Sequence, residues 1–98
     1  MKEKVKEIQD LLILLNGDHA PHTDLLPLVS IITDKIKNVI CDSDGNLNIT
    51  REILEEFKSY NIDISMYNEY SDMIIYAKYK DIGIEVTRVP KKELIYHK

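Results

Sequence analysis

With 98 residues, 44% of them apolar and 31% charged, the chain has the size of one domain, can bury a core without disulfides or metals, and is too apolar to stay disordered. A net charge of −4 and a pI near 5.3 argue against a nucleic-acid backbone binder, and only Arg51 and Arg88 supply guanidinium groups for bidentate phosphate or base reading. The single cysteine, Cys41, excludes an intrachain disulfide, and the longest apolar run, 11–15, is far short of the ~20 residues of a bilayer span.

The charged start of the chain lacks the apolar core and cleavage site of a signal peptide, so the cytoplasm is the expected compartment. Isoleucine is the commonest residue and lysine, aspartate and asparagine are abundant. That bias fits AT-rich coding, as in a low-GC bacterium, a phage or a mobile element.

Residues 3–15 read as a helix. Val5, Ile8, Leu11, Leu12 and Leu15 recur at helical spacing with charged residues between them, while Ile13 and Leu14 fall off the stripe. Asn16-Gly17 stops it. The loop 18–22 follows, and Thr23 is expected to cap a second helix over 24–39, with Asp24 in its positive first turn and Pro27 near its start. This helix is apolar over most of its circumference, since Leu26, Ile31 and Ile40 widen the face formed by Leu25, Leu28, Val29, Ile32, Ile36 and Val39.

Residues 42–46 are a turn, and Leu47 and Ile49 suggest a short strand. Thr50 then caps a third helix with Ile53, Leu54 and Phe57 inside, closed by Asn61. Period-two alternation predicts strands over 62–66 and 82–86, and the β-branched and aromatic run 73–77 predicts one between them. Pro90 ends the last strand, and 91–96 suits a terminal helical turn. The expectation is a single α+β domain over 1–98, with three N-terminal helices followed by a three-stranded antiparallel sheet, in two layers.

Asp42, Asp44 and Asn46 stand at the first, third and fifth ligand positions of a calcium loop, Ile49 stands at its apolar eighth position, and helices flank the segment. Over this dozen residues the chain resembles an EF-hand. It departs from the pattern at the sixth position, Leu47 in place of glycine, and at the twelfth, Ile53 in place of the bidentate glutamate. A polar turn, with no metal, is the expectation there.

His19 and His22, with Asp18 and Asp24 beside them, precede a helix N-terminus, where backbone N–H groups and the helix dipole favour an anion. All six tyrosines lie between Tyr60 and Tyr96; Tyr67 and Tyr70 fall in the connection between the first two strands. Tyrosine combines contact area with a polar tip, which suits interfaces and the stacking of bases. No glycine-rich phosphate loop, nucleophile elbow or H-E-x-x-H motif is present, so an enzyme is not expected.

The expected function is therefore that of a small binding protein that acts stoichiometrically on a protein partner as an inhibitor, adaptor or accessory factor, without a cofactor or a membrane. A homodimer would cover the second helix through Leu26 and Ile31, with Tyr76 as a further interface residue. The alternative is a protein that sequesters a nucleotide or another small anion at His19, His22 and Thr23, aided by Tyr67 and Tyr70. On the dimer expectation, Leu26→Asp or Ile31→Asp yields monomer or unfolded chain in sedimentation analysis. A folded variant that keeps the wild-type oligomeric state removes that residue from the interface.

Overall fold

Val5, Ile8 and Leu12, three and four residues apart, form the buried face of α1 (Lys2–Asn16) in the computed structural model, which describes residues 2–91. On its outer side Lys6 pairs with Asp10 at 3.3 Å, an exposed i,i+4 contact worth a few tenths of a kcal/mol. In α2 (Leu26–Ile40) the buried row is Ile32, Ile36 and Ile40, while Leu28, Val29 and Val39 pack against the core in part. The whole breadth of its apolar face is not buried. Leu26 is 74% exposed and Ile31 47%, because both point away from that row. Lys35 Nζ lies 2.7 Å from Glu7 Oε1 and ties the second half of α2 to the first half of α1.

The second helix starts later than its sequence pattern suggests. Thr23 is not its cap: the Thr23 N–H donates to Ala20 O at 3.0 Å, inside the preceding turn. Leu25 holds the cap position without a side-chain bond, and Pro27 occupies the first turn, where its fixed φ and missing N–H are tolerated. Asp24 takes over part of the capping, since its Oδ1 accepts the Leu26 N–H at 3.0 Å.

After α2 the chain reverses around Asp42, whose Oδ1 accepts the N–H groups of Asp44 and Asn46, both at 2.9 Å. Gly45 sits at φ 83°, where a side chain would be strained. The short strand suggested around Leu47 is only an isolated bridge between Leu47 and Cys41. Thr50 does cap α3 (Arg51–Ser59), its Oγ1 accepting the Ile53 N–H at 3.2 Å. At the other end Asn61 adopts φ 62°, its N–H donates to Lys58 O, and the Ile62 N–H donates to Phe57 O. This is a Schellman ending, and its hydrophobic pair, Ile62 and Phe57, is fully buried.

Three antiparallel strands follow, in the order β1 (Asp63–Glu69), β2 (Asp72–Tyr79), β3 (Ile82–Pro90). Ile64, Ile75, Ala77, Tyr79, Ile82 and Ile84 project from one face and join the helix side chains in one core; α2 packs on β3 and α3 on β1. Each hairpin turns in two residues, so β1 runs on through Tyr67, leaving only Tyr70 and Ser71 in the turn. Beyond Lys91, the terminal turn expected over 91–96 lies outside the described residues. No helix among the described residues is long and apolar enough to cross a membrane.

A bulge sets the last strand. Ile75 pairs with Thr87 and Tyr76 with Glu85, so Val86 is an extra residue on β3, and its side chain is buried. Unbroken alternation from Ile82, Ile84 and Val86 would send Arg88 to the core side. The added residue reverses the parity and places Arg88 opposite Ile74 on the outer face.

Both hairpins place a residue with a β-carbon at positive φ, Tyr70 at 51° and Lys80 at 53°, where two-residue turns favour glycine or asparagine. Lys80→Asn is expected to raise stability by about 0.5–1 kcal/mol, roughly 2–8 °C in melting temperature. A fall instead would mean that the contact of Lys80 Nζ with the Tyr79 ring, 5.4 Å from its centroid, outweighs the backbone strain.

Candidate binding site

The loop histidines have separate surroundings. His19 Nε2 lies 3.1 Å from Leu14 O and 3.2 Å from Leu15 O. Carbonyl oxygens only accept, so this nitrogen carries a hydrogen and His19 closes the C-terminal end of α1. His22 and Thr23 are exposed in the turn before α2. The helix start beyond them offers an anion little: Asp24 already accepts the Leu26 N–H and brings its own negative charge, and Pro27 has no N–H to give.

Tyr67 and Tyr70 lie on the β1–β2 hairpin, and neither of the two described hollows is lined by both these tyrosines and the loop histidines. Tyr76 projects from the outer face of the sheet, whereas Leu26 and Ile31 lie on α2, which packs against the inner face. The three expected interface residues thus lie on two different surfaces.

The register brings a different group together. On the outer face Tyr67 stands opposite Ile74, and Tyr76 stands between Ser65 and Glu85. The Tyr67 and Tyr76 rings meet edge to face, with centroids 5.4 Å apart and planes at 77°. Ile74 is 1% exposed, although it lies outside the main core cluster. Gly83 leaves a position without a side chain opposite Lys78, and a Cβ there would meet nothing within 4 Å, so close packing is not what the glycine serves. The result is a hollow of about 430 Å³ along Tyr67, Tyr76 and Ile74, with Glu69, Ser65 and Lys78 at its sides. Next to it Arg88 lies 3.3 Å from Asp72, 3.2 Å from Glu85 and 3.8 Å from Glu69. The bonds to Asp72 and then Glu85 hold the guanidinium above its ordinary pKa, so it is charged at every physiological pH.

A second hollow, of about 780 Å³, lies between the start of α1, the end of α2, the Asp42 turn and Thr87 on β3. Lys4, Lys35 and Lys37 border it together with Glu7, Asp42 and Cys41. Much of that charge is already engaged: Lys35 pairs with Glu7, and the Asp42 carboxylate is bonded to its own turn. Burial pushes the Cys41 thiol up, against the opposing pull of Lys37, so at neutral pH it is a protonated thiol and a poor nucleophile. Among the described residues no group of three or more His, Cys, Asp or Glu side chains is placed to hold a metal ion. The lysines of this hollow escape sequence reading because they come from two helices with no shared spacing.

Asp24→Ala is expected to cost about 0.5–2 kcal/mol, seen as a lower melting temperature, because the Leu26 N–H loses its acceptor. An unchanged melting temperature would show that water serves this exposed N–H equally well.

Compared with known proteins, the chain matches no family model, no curated protein and no solved structure.

Proposed function

We propose that this chain is a non-enzymatic binding protein that engages a protein partner stoichiometrically through the outer side of the β1–β2 hairpin. The observation that carries the reading is Tyr70, which stands 97% exposed at the hairpin tip in a left-handed conformation. A bulky residue there costs about 1–2 kcal/mol of backbone strain, and its ring covers nothing. A glycine would close the turn better, so the folded monomer alone gives no reason for a tyrosine. Tyr67, 56% exposed on the outer face, extends the same surface. Tyrosine is enriched at protein interfaces, where it buries a large area at little entropic cost.

In this reading the helices and the sheet form two layers, with the helices covering the inner face and the outer face left for the partner. The reading includes action in the cytoplasm as an inhibitor, adaptor or accessory factor. Exposure of Leu26 and Ile31 favours a second reading, self-association through α2. At 74% exposure Leu26→Asp should leave the fold intact, so its effect on oligomeric state can be read without interference from unfolding.

The test is capture from extract of the source cells by wild type and by a Tyr67→Ala/Tyr70→Ala double variant of unchanged melting temperature. A partner held in stoichiometric amount by the wild type is expected to bind the double variant at least ~30-fold more weakly, as for interface hot spots. Equal retention by the folded variant would remove the hairpin as the binding surface.

A further inference from the structure

We infer that the partner surface recognised by the sheet is basic, and that one of its lysine or arginine side chains seats in the hollow along the Tyr67–Tyr76 pair, beside Glu69. The inference rests on the binding reading above and adds the chemistry of the partner.

Charge comes first. By register, the outer face carries the carboxylates of Asp63, Glu69, Asp72 and Glu85 against the cations of Lys78 and Arg88. Lys78 stands opposite Asp63. Arg88 is shared by the other three carboxylates, at 3.2 to 3.8 Å. One guanidinium cannot neutralise three carboxylates, so negative charge is left over beside the hollow. A chain of net charge −4 adds to that field and steers a cationic partner towards it.

The shape of the hollow suits the same occupant. Two aromatic rings at 77° present a π-face and a phenol edge around one corner, which is half of an aromatic cage for a cation. Ile74 gives an apolar base for the methylene stem of a long side chain, Gly83 leaves the room, and Glu69 accepts from its charged head.

A second copy of the chain fits poorly. β1 is an edge of the sheet among the described residues, and two copies pairing antiparallel about Met66 would set Asp63 of each against Glu69 of the other. Like charges directly opposite destabilise a strand pair, and charged edges are a known guard against self-pairing.

The test uses the full chain and a synthetic peptide of alternating arginine and serine, with a glutamate–serine peptide as control, followed by NMR titration. The basic peptide is expected to shift the Tyr67, Ile74 and Tyr76 resonances saturably and to weaken with added salt, while the acidic peptide does not bind. Tyr67→Ala and Glu69→Gln should each weaken binding about tenfold, whereas Tyr67→Phe, which keeps the ring face, should stay within about threefold of wild type. Absence of saturable shifts on the outer face, equal binding of the acidic peptide, or equal losses for Tyr67→Phe and Tyr67→Ala would each overturn the inference. If the peptide fails while a captured partner is still lost with the tyrosine double variant, the basic occupant falls and the binding reading stands. If the captured partner is also indifferent to that variant, both fall.

Discussion

Packing of the Ile32, Ile36 and Ile40 row of α2 against the inner face of the sheet is the constraint on which the other elements depend. Each of these side chains is fully buried, and Ile84 and Val86 of β3, the strand α2 packs on, belong to the same cluster. Full burial of a branched aliphatic side chain contributes about 1.5–3 kcal/mol, comparable to the several kcal/mol by which a small domain is stable at all. α1 adds Val5, Ile8 and Leu12 to this seam, and α3 adds Ile53 and Phe57 from the β1 side. No charged side chain is buried among the described residues, and the core is aliphatic apart from Phe57 and Tyr79.

That seam also decides what the outer face can be. The sheet buries its apolar alternation on one side, so everything of opposite parity is left for the other: Tyr67, Tyr76, Ile74 and the charged residues around Arg88. Val86 links the two faces. Its insertion keeps an aliphatic side chain in the core and turns the following residues over, so that Arg88 meets Glu69, Asp72 and Glu85. Without the bulge, a charged side chain would point towards isoleucines at a cost of several kcal/mol.

Much of the architecture was legible in the chain. The 3-4 spacing in α1, the Thr50 cap and Asn61 ending of α3, and the alternation in the strands identified the three helices and three strands, because each signal is local and its physics is carried by neighbours in sequence. The signals that misled were those competing with another local group. Thr23 looked like a cap, but Asp24 and Pro27 stand nearer the first turn and determine where α2 begins. The apolar breadth of α2 exceeds what the core takes in: Leu26 and Ile31 stay exposed, while Ile32, Ile36 and Ile40 are buried and Leu28, Val29 and Val39 pack against them in part. The candidate site was legible only in its residue type: tyrosines crowded into the second half of the chain, with Tyr67 and Tyr70 among them, but without a face or a neighbour.

By itself the sequence determined the element order, the inward faces of the helices and the alternation of the sheet, all consequences of periodic apolar residues and of capping groups within a few positions. The tertiary structure decided the rest. His19 became the closure of α1, because the Leu14 and Leu15 carbonyls lie within its reach. Tyr67 met Tyr76 across a strand pair, and Arg88 met three carboxylates from all three strands, because strand register and one bulge bring together residues far apart in sequence. Register is a property of pairing between strands, so no single segment encodes it alone.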